Sequence, residues 1–229
     1  RSAPTTQQTF LMTTVTWIFV ALFSGIPFIF THTTSSITDA YFEVISGITT
    51  TGATVIVGLD YASRGILLWR AILQWLGGIG IIVMAMTVMP ILKIGGMQLF
   101  RNEFSDRSEK VLPRVSQMAN GIIITYVFFT LVCMLCLKGF GMSWFDAISY
   151  SFSTLSTGGF GTHDTNMGHY DTLAIEVIIT IFMLIGGMTF MLFVRFMHGD
   201  RRSIFVDRQI HTYLMVFVGA TLLMALYRW

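Results

Sequence analysis

Apolar residues occur along this chain in long unbroken runs, not at the alternating or three-to-four spacing of a half-buried element. Five runs, at 10–30, 65–89, 118–137, 172–197 and 211–227, carry few or no charged side chains. A helix that is hydrophobic all round belongs in a large core or in a bilayer. The run 118–137 is the cleanest, because its 20 residues build a helix of about 30 Å, the thickness of a hydrocarbon core. Two further apolar pieces, opening at Ser36 and Ser143, are only about three turns long and too short to span. Each begins Ser-x-x-Asp, whose hydroxyl and carboxylate satisfy free amides at a helix start. The pattern predicts an all-α integral membrane protein in which spans are separated by re-entrant loops.

The two short helices are displaced by 107 residues, Ser143 against Ser36. At that displacement Asp39 matches Asp146, Ala40 matches Ala147, Ser46 matches Ser153, Thr50 matches Thr157 and Gly52 matches Gly159. Leu76-Gly77-Gly78-Ile79 corresponds to Ile185-Gly186-Gly187-Met188 after a two-residue adjustment. The chain therefore reads as tandem span, pore-helix, span units. The expected organisation is a first repeat at 1–92, a cytoplasmic linker at 93–117, a second repeat at 118–197, a second cytoplasmic linker at 198–210, and the opening span of a third repeat at 211–229.

Composition sharpens this picture. Of the 229 residues 54% are hydrophobic and 11% charged, against about 25% charged in an ordinary soluble domain. Mean hydropathy is +0.70 and the formal charge +2. The charge deficit argues against a soluble enzyme, and the near-balanced charge implies no basic face large enough for nucleic acid. Cys133 and Cys136 lie inside an apolar run and read as small buried residues, not as a disulfide or a metal site. Lys93, Arg101, Arg107, Lys110 and Arg114 in one linker, and Arg195, Arg201, Arg202 and Arg208 around the other, place those segments in the cytoplasm. The segments at 31–64 and 138–171 contain only Arg64 and Lys138 as cations, and face outward; the amino terminus is cytoplasmic. A signal peptide does not fit the first run, and a start at Arg1 without Met reads as a fragment whose reading frame is expected to continue into a third pore helix.

After each short helix comes a hydroxyl-rich, glycine-bearing stretch. It reads Thr49-Thr50-Thr51-Gly52-Ala53-Thr54 in the first copy and Ser156-Thr157-Gly158-Gly159-Phe160-Gly161-Thr162 in the second. Irregular backbone at membrane depth persists only when buried in protein or lining a water-filled path. A short helix entering from outside aims its carbonyl end inward, where the negative pole of its dipole favours a cation. Carbonyl and hydroxyl oxygens replace the water shell of an alkali ion when several loops surround an axis. Two such loops at one displacement point to an ion filter formed by Thr50, Thr51, Gly52, Ala53 and Thr54 with Thr157, Gly158, Gly159, Phe160 and Gly161, the ion sitting at the Gly52 and Gly159 loops.

These residues resemble the Trk-type potassium uptake family, relatives of the Ktr and plant high-affinity potassium transporters. Ser46-Gly47-Ile48-Thr49-Thr50-Thr51-Gly52-Ala53-Thr54 is similar to the family's first filter loop. The run from Ser153 through Thr157-Gly158-Gly159-Phe160-Gly161 to Asp164 is similar to its second, and Gln74-Trp75-Leu76-Gly77-Gly78-Ile79-Gly80 to its following span. The resemblance covers nearly the whole chain. It implies potassium uptake across the bacterial inner membrane, with K⁺ as the transported ion, no covalent cofactor and no enzymatic activity. It also implies four linked repeats around one pore, a homodimer of the full-length protein, and a cytosolic nucleotide-binding regulatory subunit. The sequence departs from the family by stopping after two repeats and one span, so no gating residue is carried over and the chain alone is not expected to conduct.

Other residues carry further expectations. Glu43 lies inside a short apolar helix, where an unpaired carboxylate is costly; Arg70 near the outer end of the next span, beside Trp69, is its candidate partner, with snorkelling to the interface as the competing reading. Asp60 and Asp164 either focus cations at a pore mouth or are ordinary solvated loop charges. His163 beside Asp164 lacks the geometry and the nucleophile elbow of a hydrolase. The methionines read as packing residues, and Gly77-Gly78-Ile79-Gly80 as close helix packing. A secondary cation-coupled transporter with broken helices would also repeat, and a purely structural membrane subunit would tolerate changes in the loops.

Overall fold

A computed structural model describes residues 6–92, 111–197, 199 and 206–228. Among these residues the secondary structure is wholly helical, with two short 3-10 turns and no strand. The elements are α1 (Thr6–Ser24), α2 (Ile26–Phe30), α3 (Ile37–Ile48), α4 (Arg64–Leu92), α5 (Val111–Gly139), α6 (Trp144–Leu155), α7 (Leu173–Gly186), α8 (Phe190–Met197) and α9 (Arg208–Arg228). Among the described residues four stretches are long and apolar enough to cross a membrane, namely Phe10–Phe30, Arg64–Ile82, Ala119–Gly139 and Arg208–Tyr227. Their outward faces carry bare apolar side chains such as Leu11, Phe23, Leu76, Ile124 and Leu135, as lipid contact requires.

The chain divides into two compact units, Arg1–Gly187 and Met188–Trp229. In the first, α4 is the shared wall: it packs on α3, α5 and α6, while α6 also packs on α5 and α7. The α1 to α2 junction follows from Pro27, which has no N–H to continue the ladder. There Phe28 N–H donates to Gly25 O at 3.1 Å, and the released Ser24 carbonyl accepts from Trp69 Nε1 of α4 at 3.0 Å. Polar side chains join α4 to α5 in the same way, Trp75 Nε1 donating to Thr130 Oγ1 at 3.1 Å and Tyr126 hydroxyl to Trp75 O at 3.3 Å. Between apolar helices such bonds supply the association that hydrophobicity does not. The second unit holds α8 and α9, and α9 exposes most of its apolar side chains, including Met215, Leu223 and Met224.

The short helices α3 and α6 have 12 residues each, about 18 Å. Both start as their Ser-x-x-Asp signals require, with Ser36 Oγ accepting from Asp39 N–H and Ser143 Oγ from Asp146 N–H, each at 3.1 Å. Ala40, Glu43, Val44, Gly47 and Ile48 in α3 and Ala147, Tyr150, Ser151, Thr154 and Leu155 in α6 are buried at helical spacing, and Ser46, Ser149 and Ser153 are buried beside them.

Three boundaries differ from the sequence reading. The run 172–197 is not one helix, because α7 ends at Gly186 and α8 begins at Phe190. Adjacent Gly186 and Gly187 weaken helix propagation there. The equivalent Gly77 and Gly78 do not interrupt α4, so the pair alone does not decide the break. At 93–117 the last residues are already helical, since α5 begins at Val111, and α9 likewise begins at Arg208 within 198–210. The linker cations Lys93, Arg101, Arg107, Lys110, Arg201 and Arg202 lie outside the described residues.

Candidate functional site: two loops held against one helix

Each short helix ends the same way. Thr50 N–H donates to Gly47 O at 3.0 Å and Thr51 N–H to Ser46 O at 2.9 Å; in the second copy Thr157 N–H donates to Thr154 O at 3.0 Å and Gly158 N–H to Ser153 O at 2.8 Å. These are the paired reverse bonds of a Schellman end, which require a left-handed residue just past the cap. That residue is Thr50 at φ 55° and Thr157 at φ 53°. A β-branched side chain is rare in this region, and such strain persists only where surrounding structure over-determines it. Two residues further on, Gly52 (φ 78°) and Gly159 (φ 87°) again turn left-handed, a conformation free of steric cost only for glycine. The two loops thus share one backbone course at the 107-residue displacement.

They also meet. A side chain on Gly52 would collide with the Gly158 carbonyl. Two other close approaches set the helix ends beneath the loops: a Cβ on Gly77 would strike the Ile48 carbonyl, and one on Gly186 would lie 2.6 Å from Leu155 O. Ile48 and Leu155 are the last residues of α3 and α6, so a glycine in the following helix lets each short helix dock by its carbonyl end.

The supports behind the loops differ. Behind the first, Ser46 Oγ donates to Ala53 O at 2.5 Å. Glu43, fully buried, accepts from Thr54 Oγ1 at 2.9 and 3.0 Å, from Val55 N–H at 3.1 Å and from Arg70 Nε at 2.8 Å. The Glu43–Arg70 ion pair is 0% and 1% exposed respectively. Arg70 goes on to bind Thr54 Oγ1 through Nη2 at 3.0 Å and Gly161 O of the second loop through Nη1 at 3.1 Å. Its guanidinium lies 4.2 Å from the Phe160 ring centroid, a cation–π distance. One arginine therefore spans both loops.

Behind the second loop stands Gln74, one helical turn from Arg70 on α4. Its Oε1 accepts from Ser153 Oγ at 2.8 Å and from Phe160 N–H at 3.1 Å. Asn166 Nδ2 donates to Gly159 O at 3.0 Å. Sequence reasoning gave neither residue a role. A polar amide four residues after an arginine in an apolar run was the available signal for Gln74; nothing in the loop around Asn166 distinguishes it.

Asp60 and Asp164 stand where the segments following the two short helices touch. Asp164 Oδ1 accepts from Leu59 N–H at 2.9 Å, and Asp60 Oδ1 lies 2.6 Å from His163 Nδ1. The hydrogen bond from His163 holds the Asp60 carboxyl below its usual range. Both carboxylates thereby clasp one repeat to the other.

The arrangement offers chemistry suited to an alkali cation: two helix C-termini, hydroxyls of Thr50, Thr51 and Thr157, and loop carbonyls whose positions are held by buried polar side chains. Comparison with known proteins points the same way. The model of the TrkH family, described as cation transport protein, matches residues 2–223. The chain is 39% identical over 222 residues to the Trk system potassium uptake protein TrkI of Halomonas elongata, covering 96% of this chain and 45% of that one. It is 44% identical over 186 residues to TrkH of Vibrio parahaemolyticus, covering 80% and 38%. The crystal structure of the potassium transporter TrkH from Vibrio parahaemolyticus superposes with a TM-score of 0.80 at 38% identity, over 91% of this chain and 42% of that one. The chain thus spans less than half the length of each of these relatives. A family match over nearly every residue, on a helical fold with repeated loops, establishes that the chain is a multi-pass membrane protein of the TrkH cation transport family.

Proposed function

We propose that this chain supplies two of the filter loops of a pore for potassium uptake. The observation that carries the reading is the matched pair of left-handed turns, at Thr50 and Gly52 in one loop and at Thr157 and Gly159 in the other, with Gly52 pressed against the Gly158 carbonyl. Oxygens from two loops then line one side of a common axis, and two further loops complete the ring that offsets dehydration. The relatives named as potassium uptake proteins support K⁺ as the cargo. Filter oxygens come from Thr50, Thr51, Gly52, Ala53 and Thr54 and from Thr157, Gly158, Gly159, Phe160 and Gly161, with no covalent cofactor and no catalysed reaction. The setting is a bacterial inner membrane with the amino terminus in the cytoplasm, as the linker charges indicate. The complete assembly is a homodimer with a cytosolic nucleotide-binding regulatory subunit.

The test is rubidium uptake by potassium-starved cells that lack their own uptake systems and express the reading frame encoding this chain. Uptake that saturates, and that Gly52→Ser and Gly159→Ser abolish or render unselective against sodium, supports the pore. Uptake unchanged by both substitutions refutes the filter assignment. Uptake that runs only on the gradient of a second solute selects a coupled transporter with broken helices.

A further inference from the structure

Two imidazoles and a carboxylate converge in the outer segments, apart from the loops themselves. Asp60 lies in the 3-10 turn Leu59–Tyr61, His163 follows the second loop, and His169 ends the 3-10 turn Asn166–His169. One ligand atom from each lies within 4.8 Å of the other two. Asp60 and His169 are exposed and His163 is half-buried.

The two ring nitrogens of His163 face different carboxylates. Nδ1 is 2.6 Å from Asp60 Oδ1. Nε2 is buried without a hydrogen-bond partner and faces Asp146 Oδ1 at 3.7 Å, an oxygen that already accepts from the Thr162 hydroxyl at 2.7 Å. With a divalent cation on Nδ1, the one hydrogen of a neutral imidazole sits on Nε2, where it points at Asp146. Carboxylate, imidazole and metal in that order is how metal-binding histidines are oriented.

We propose that Asp60, His163 and His169 bind a divalent cation of the zinc class, with the Asp146 carboxylate behind His163. Two nitrogens and one oxygen, with water in the fourth position, suit tetrahedral zinc better than magnesium or calcium, which prefer oxygen alone. Ligand bonds of about 2.0–2.2 Å require the Nδ1 to Oδ1 separation to widen beyond its present 2.6 Å. They also require the His169 ring, now parallel to His163 at 3.6 Å between centroids, to turn out of the stack. Both adjustments fall on the exposed members of the cluster. The cation ties the outer segment of the first repeat to that of the second, on either side of Asn166 and its bond to Gly159 O.

The experiment measures metal binding by the purified protein in detergent, independently of any ion flux, so its failure leaves the pore reading standing. Zinc is titrated against a chromophoric chelator, and cobalt is bound in its place for its visible absorption. The expected result is one zinc per chain at a Kd on the order of a micromolar. Asp60→Asn, His163→Gln and His169→Gln should each weaken it tenfold or more and abolish the cobalt bands. Asp146→Asn should weaken it about tenfold, and His211→Gln in α9 should leave it unchanged. Metal-free thermal melts separate lost binding from misfolding, and exposed His169 keeps the test decisive because its replacement should not shift the metal-free melt. Absence of zinc binding at micromolar concentration, as follows if a doubly protonated His163 satisfies both carboxylates, overturns the site; so does binding that survives His169→Gln with an unchanged melt.

Discussion

Removing Arg70 or Glu43 singly should be far more damaging than the loss of one contact, and removing both should be milder than the sum. Arg70→Met leaves the Glu43 carboxylate, 0% exposed, with two of its three donors, Thr54 Oγ1 and Val55 N–H. It also strips the Gly161 carbonyl of its guanidinium donor. Breaking a buried pair by deleting one partner costs about 3–5 kcal/mol, and a newly unpaired buried polar group about 1–3 kcal/mol. These ranges overlap, because they count part of the same desolvation, so a loss of about 4 kcal/mol is expected for the single change. Glu43→Leu strands the guanidinium in turn, with Gly161 O and Thr54 Oγ1 still in reach, and a similar loss is expected. In Glu43→Leu/Arg70→Met no buried charge remains, and the double variant should lose about as much as one single change, a coupling of about 4 kcal/mol. The assay is denaturant or thermal unfolding of all four proteins in the same detergent. Additivity within about 0.5 kcal/mol would refute the pairing argument, as would single losses below about 1 kcal/mol, since an exposed pair contributes no more than that.

The two left-handed glycines should respond unequally. Gly159→Ala meets no atom within 4 Å and should show only the conformational loss of about 1–2 kcal/mol, whereas Gly52→Ala also drives a methyl into the Gly158 carbonyl and should lose at least about 1 kcal/mol more; equal shifts in unfolding would contradict the docking of the loops. Topology is checked with single cysteines in a Cys133→Ala/Cys136→Ala background: Thr165→Cys should react with a membrane-impermeant thiol reagent on intact cells and Gln209→Cys only after permeabilisation. The reverse pattern would invert the orientation.

What the amino-acid order determines here is local. Runs of apolar side chains state which stretches suit lipid, Ser-x-x-Asp states where α3 and α6 begin, and the 107-residue displacement is visible because the loops share hydroxyls and glycines. That Glu43 and Arg70 are charges inside apolar helices, and so need partners, is equally legible. Apart from the Glu43–Arg70 pair, which the sequence already suggests, what joins distant parts of the chain was decided by tertiary structure. Arg70 reaching Gly161, Gln74 holding Phe160, Asp60 meeting His163 and Gly52 lying on the Gly158 carbonyl each depend on how α4 sits between the two short helices, and no spacing in the sequence encodes that. The glycine pairs make the same point: Gly77-Gly78 passes through a continuous helix while Gly186-Gly187 ends one. A glycine pair lowers helix propensity by only about 2 kcal/mol, little enough for the packing around it to determine whether the helix continues.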